Sequence, residues 1–167
     1  MAFADSDFAN GWNKLNPEDA SSLYSRTGYA IYYMGMPIAW CSKLESRVEL
    51  SSTEVEYAAL STCLRDATPI MNLIAEISTH VQVQLLKPVI KCQLFEDNES
   101  CIKIAQAPIL IPRTKHIALE YHHFRWYVDN NFILLESIRT GEQTADILTK
   151  PVAYPQFNYL RKKLNGH

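Results

Sequence analysis

The chain has 167 residues, 47% of them hydrophobic and 20% charged, with a formal net charge of −2. That balance suits one domain, 1–167, with a real core, and excludes a disordered or fibrous chain. Near-neutral charge gives no global nucleic-acid signature, and neither a secretory signal nor an apolar run long enough to span a bilayer is read, so no membrane partner is expected.

A short apolar start leads to Asp5 and Asp7, which alternate, so a strand would place both on one face. The polar stretch 10–26 contains Pro17 and several turn formers and reads as a long loop. Strands are predicted over 28–34 and 38–42, joined as a hairpin by Gly35-Met36-Pro37. Ser51 followed by Glu54 is a capping box, so a helix is predicted over 51–78, with Pro69 expected to kink it near Ala67. From Glu56, its apolar stripe runs through Ala59, Leu60, Cys63, Ala67, Ile70 and Ile74 at helical period. Glu56 therefore lies at the end of the buried stripe, and Glu54 on its flank.

Pro88 opens a predicted strand over 89–95 that leads into Asp97, followed by a short helix over 99–106. Pro108 and Pro112 make the next connection irregular. A helix is predicted over 115–130, stopped at Asn130-Asn131, and then a last strand over 132–138. Thr140 and Gln143 read as a second capping box, starting a helix near Gly141 that carries Asp146. Pro151 ends it, and a partly basic helix over 154–164 closes the chain. Cys41, Cys63, Cys92 and Cys101 form no CxxC pair, and three of them lie in apolar patterns. Buried, reduced thiols in an intracellular protein, cytoplasmic or nuclear, are expected. No cysteine pair accompanies His116, His122 and His123, so no zinc site is read there.

The order of elements is an α/β layout with three strands first and single strands afterwards. Ligands in such sheets gather beyond the carboxyl ends of the strands. Asp5 and Asp97 each sit at such an end, while Glu56 and Asp146 each lie near a helix start. Four carboxylates drawn together raise each other's pKa unless a cation joins them. Hard oxygen ligands suit Mg²⁺ or Mn²⁺, and two such ions suit phosphodiester hydrolysis. Each acid also has an ordinary role open to it. Glu54 can simply cap its helix, Asp97 or Asn98 can cap the next, and Asp146 can pair with Lys150 at the surface.

The segments FADSDFA (3–9), SRTGYAIYYMGMPIAWCSK (25–43), LSSTEVEYAAL (50–60), EDNESCIKIAQ (96–106), RTKHIALEYHHFR (113–125) and EQTADILTKP (142–151) together resemble the ribonuclease H domain of the Pol polyprotein of copia-type LTR retrotransposons. The resemblance covers nearly the whole chain. It implies a ribonuclease H-like fold, a five-stranded mixed sheet flanked by helices, with its first strand close to Met1. It also implies cleavage of the RNA strand of an RNA–DNA hybrid during reverse transcription, with two Mg²⁺ ions that Mn²⁺ can replace. By motif, Asp5 would bridge both ions, Glu56 and Asp97 would hold one, and Asp146 the other. Arg113, Lys115 and His116 would contact the hybrid, and a reverse transcriptase domain would lie upstream in the same polyprotein. The loop 139–143 lacks the histidine that many ribonucleases H carry before the last acid. The competing class is a non-catalytic fragment that keeps the fold and binds nucleic acid or protein.

Overall fold

The computed structural model describes residues 1–9, 11–12, 15–16, 18–46, 48–81, 90–107 and 118–166. Three strands open the chain: β1 (Ala2–Asp7), β2 (Arg26–Tyr33) and β3 (Met36–Leu44), each antiparallel to the next. The hairpin turns at Met34 and Gly35, with φ of 52° and 82°. That is one residue earlier than the sequence suggested, because a two-residue hairpin turn of this hand needs positive φ at both central positions. Both strands are longer than predicted, since pairing continues through Asp7↔Arg26 and Arg26↔Leu44. A 3₁₀ turn, Ala20–Leu23, lies in the loop before β2.

Helix α1 (Ser52–His80) starts as predicted. Ser51 Oγ accepts from the Glu54 amide at 3.2 Å, and Glu54 Oε2 accepts from the Leu50 amide at 3.0 Å. The helix is continuous through Pro69. Strand β4 (Cys92–Glu96) begins three residues later than expected and takes in Glu96, held there by pairing with Ser137. Asn98 caps α2 (Glu99–Gln106), its Oδ1 accepting from the Ser100 and Cys101 amides at 3.0 and 3.1 Å. Helix α3 (Ala118–Asp129) ends before Asn131, whose φ of 56° is the left-handed stop anticipated there. Strand β5 (Ile133–Ser137) follows.

The second capping box does not form. Thr140–Glu142 is a 3₁₀ turn, and the helix behind it, α4, is only Asp146–Thr149. Gln143 turns inward instead, as described below. Helix α5 (Tyr154–Leu164) closes the described chain as predicted.

The sheet order is β3-β2-β1-β4-β5, with β1 parallel to β4 and β4 parallel to β5. The pleat of central β1 sends Ala2 and Ala4 into the larger core, where Tyr57, Leu60 and Leu64 of α1 meet Leu94, Ile133 and Phe124. Phe3 points to the other face, among Ala30, Tyr32 and Ala145. There it stacks on Phe95 with ring centroids 4.9 Å apart and lies under Lys163 of α5. The sheet is thus covered on both sides, which a parallel pair requires.

Gly28 on β2 decides how closely α4 approaches. A Cβ there would lie 2.6 Å from Thr149 Cγ2 and 3.0 Å from Leu148 Cβ. We expect Gly28→Ala to force α4 outward and cost about 1–3 kcal/mol in urea denaturation, as overpacking does. Gly35→Ala meets nothing within 4 Å and carries only the strain of a φ of +82°, so it should cost about 1 kcal/mol. Only Gly28→Ala should also blunt any metal-induced rise in Tm, because only it displaces Asp146.

Candidate metal and active site

The registers show why the acids meet. β1 stays with β2 through Asp7, but pairs with β4 only at Ala2↔Leu94 and Phe3↔Phe95. Beyond that point the two parallel strands part, and Asp5 and Asp97 emerge on either side of the fork. The first two turns of α1 bring Glu56 against it. Asp5, Glu56 and Asp97 each offer a carboxylate oxygen, and the three lie within 4.8 Å of one another. Asp5 and Glu56 are buried and Asp97 is half-buried. Glu54, by contrast, is occupied in capping, so the helical-face argument separates the two glutamates correctly.

Asp146 is buried and joins this group through Lys150. The Lys150 ammonium is 2.9 Å from Asp146 Oδ1 and 3.4 Å from Asp5 Oδ1. The expected surface pair therefore exists, but it is only partly exposed and reaches a second acid. Thr149 Oγ1 donates to Asp5 Oδ2. A cleft of about 300 Å³, lined by Asp7, Tyr24, Arg26 and Pro151 among others, opens beside Thr149.

A fifth acid belongs to the neighbourhood. Glu96 is fully buried, on the same pleat face as Cys92 and Leu94. Its Oε1 accepts from the Asn98 amide at 3.0 Å, while its Oε2 finds no partner among the described residues. The strand alternation Cys92, Leu94, Glu96 was the available signal for it. Arg113, Lys115 and His116 lie outside the described residues.

Burial dominates the electrostatics. It pushes Asp5 up to about 7, with Lys150 and the Thr149 hydroxyl pulling it back. Burial and then the charge of Asp5 push Glu56 up to about 8. Burial and then Glu56 push Glu96 up to about 10, so it is neutral at pH 7. Burial also raises Asp146, opposed by Lys150. Burial works against the Lys150 ammonium, yet the charges of Asp5 and Asp146 outweigh it and raise its pKa. The donors are carboxylate oxygens only, and Glu56 Oε2 is buried without a hydrogen-bond partner among the described residues. That set fits a hard divalent cation such as Mg²⁺ or Mn²⁺.

Known proteins share this architecture. No known family model matches the chain. LC11-RNase H1, solved in complex with an RNA/DNA hybrid, superposes with a TM-score of 0.58 at 14% identity, over 89% of this chain and 91% of that one. The N-terminal RNase H domain of rv2228c from Mycobacterium tuberculosis gives a TM-score of 0.56 at 12% identity, over 96% and 94%. The fold is that of ribonuclease H. The sequence places it further: it is 32% identical over 163 residues to the retrovirus-related Pol polyprotein from transposon RE2 of Arabidopsis thaliana, covering 98% of this chain and 10% of that protein. The corresponding polyprotein from transposon TNT 1-94 of Nicotiana tabacum is 32% identical over 149 residues, covering 89% and 11%. The chain is a ribonuclease H-like relative of transposon Pol polyproteins, and spans about a tenth of the length of these relatives.

The raised carboxyls set the sign of a pH effect. An acid whose folded pKa exceeds its unfolded one stabilises fully below the unfolded value and loses that stability as pH rises. With Asp5 at about 7, Glu56 at about 8 and Glu96 at about 10, Tm in EDTA should fall steadily from pH 5 to pH 9. Glu96→Gln should flatten that slope, by at most about 1.4 kcal/mol per pH unit. Lys150→Met should lower Tm in EDTA and enlarge the rise on adding Mn²⁺, because it leaves Asp5 and Asp146 without their cation.

Proposed function

We propose that this domain cuts the RNA strand of RNA–DNA hybrids, by two-metal hydrolysis, during the reverse transcription of a copia-type retrotransposon. The observation that carries the reading is the convergence of Asp5, Glu56 and Asp97 within 4.8 Å, at the parting of two parallel strands. The ribonuclease H fold and the Pol relatives support it.

In this reading Asp5, Glu56, Asp97 and Asp146 would together hold the two ions. Two Mg²⁺ or Mn²⁺ ions, when bound, would supply an activated water and charge neutralisation at the leaving oxygen. The chain's own residues do the rest. Thr149 orients the Asp5 carboxylate through its hydroxyl. Glu96, neutral at pH 7, adds no further charge to the crowd. Glu56 faces the ribose 2′-hydroxyl, the group that distinguishes RNA from DNA. Lys150 pairs with both Asp5 and Asp146 and offsets their charge. Arg113, Lys115 and His116 serve the hybrid's phosphates. With a net charge of −2, the isolated domain holds its substrate weakly, and the remainder of the polyprotein, including a reverse transcriptase, supplies affinity.

The test is cleavage of a labelled hybrid in Mg²⁺ or Mn²⁺ at low salt. The wild type should cut the RNA strand and leave duplex DNA intact. Asp5→Asn should abolish cutting while hybrid affinity stays close to wild type, and Asp7→Asn should be far milder. Hybrid cleavage by Asp5→Asn at the wild-type rate refutes the assignment. A folded wild type that binds metal but never cuts, even joined to its polymerase, assigns the chain to the binding-module class. Replacing Arg113 and Lys115 by alanine should reduce the salt dependence of hybrid binding, by roughly one unit of slope for each phosphate left unneutralised.

A further inference from the structure

Gln143 occupies the fork between β1 and β4. It is fully buried, and its Nε2 donates to the Ala4 carbonyl at 2.8 Å and, more distantly, to the Phe95 carbonyl at 3.5 Å. Both acceptors lie close to the acids: Asp5 follows Ala4 directly, and Asp97 stands two residues after Phe95. Its Oε1 accepts from the Ala145 amide at 3.4 Å, and its main-chain carbonyl accepts from the Asp146 amide at 3.3 Å. One residue therefore grips all three chain segments that carry Asp5, Asp97 and Asp146.

The fork itself needs this residue. Parallel strands that continued pairing would satisfy their facing carbonyls with each other's amides. Here β1 pairs with β4 only at Ala2↔Leu94 and Phe3↔Phe95. The Ala4 carbonyl, beyond that point, is buried and the Phe95 carbonyl part-buried, and a buried acceptor without a partner is costly. A primary amide supplies two N–H donors and one acceptor on a single plane, which matches two carbonyls and one amide N–H. A side chain of this length thus bridges the two strands and the residue that precedes α4 at once.

We propose that Gln143 is the positioning residue of the metal site. By bridging Ala4, Phe95 and Ala145, it sets the separation of Asp5 from Asp97 and the docking of Asp146 against both. It touches neither ion nor substrate. Its effect reaches the site through the backbone of the acids' neighbours, as outer hydrogen-bond partners do in metal sites generally. The inference rests on the metal-dependent function proposed above.

The experiment is calorimetric titration of Mn²⁺ into the protein without nucleic acid, with Tm in EDTA as the control for folding. Gln143→Met keeps the volume and removes every side-chain hydrogen bond. We expect it to fold with a lowered Tm and to bind Mn²⁺ about tenfold more weakly, the effect typical of losing an outer partner. Gln143→Glu, whose neutral acid form can still donate to Ala4 and accept from Ala145, should recover most of that affinity. Hybrid affinity in EDTA should be the same in all three proteins. If the methionine variant does not fold, Gln143→Ala, which admits water to the three backbone groups, carries the same comparison. A folded methionine or alanine variant within roughly twofold of wild-type Mn²⁺ affinity overturns the proposal. A methionine variant of wild-type affinity beside an alanine variant that loses it would assign the position to packing alone. A wild type that binds no Mn²⁺ at all overturns the metal-dependent function itself, a result distinct from either.

Discussion

The structure turns on a crowd of buried carboxyl groups at the carboxyl end of β1. Asp5, Glu56, Glu96 and Asp146 are all buried, and Asp97 stands half-buried beside them. Charges removed from water cost several kcal/mol each, roughly, unless a partner compensates. Two compensations are built in. Protons occupy the carboxyls whose pKa is raised most, with Glu96 at about 10 the extreme case. The Lys150 ammonium spans Asp5 and Asp146. Neither discharges the whole cluster, and this leaves a strong local preference for a divalent cation.

The rest of the fold can be read as the apparatus that tolerates this crowding. The larger core, between the sheet and helices α1 to α3, anchors Glu56 by burying its neighbours Val55 and Tyr57 completely. The smaller cluster on the opposite face, built on Phe3, Ala30, Tyr32 and Ala145, fixes α4 and with it Asp146. Gly28 lets α4 come within contact of β2, and Gln143 ties α4 to the fork. Helix α5 adds a second tie to the same loop. Lys163 Nζ lies 2.8 Å from Glu142 Oε2, and Gln156 Nε2 donates to the Gly141 carbonyl. Acids that repel one another are held by hydrogen bonds and packing a few residues away, on elements too well buried to yield.

Under the proposed function, this arrangement also separates two tasks that a nuclease must perform. The acid cluster provides a place for ions, but it carries negative charge toward a polyanionic substrate. Part of the positive charge within the described residues is paired: Lys150 with the acids, Lys163 with Glu142, Arg125 with Asp129. Under the proposed function, affinity for a hybrid comes from Arg113, Lys115 and His116 and from other parts of the polyprotein. A small domain of near-neutral charge then suits a chain in which binding and cutting are divided between units.

Much of this was legible in the residues. Glu56 could be told from Glu54 because helical period and a capping box assign one to the buried stripe and the other to the helix start, and both are local rules. The bounds of α2 and α5 followed from Asn98, Pro151 and simple periodicity. Asp97 follows the end of β4 as expected, whereas β1 runs two residues past Asp5 because it stays paired with β2. Other features could not be read, because they depend on which elements meet in space. Gln143 looked like a capping partner of Thr140, since the sequence cannot show that β1 and β4 part and leave the carbonyls of Ala4 and Phe95 in need of a donor. Lys150 looked like an ordinary i,i+4 partner of Asp146, since its second contact, Asp5, lies 145 residues away in the chain. Local sequence determined the identity of the acids and the elements that bear them, because capping and periodicity act over a few residues. Tertiary structure alone decided their spacing, their protonation and the residue that holds them, because burial and hydrogen bonding between distant strands exist only once the sheet has closed.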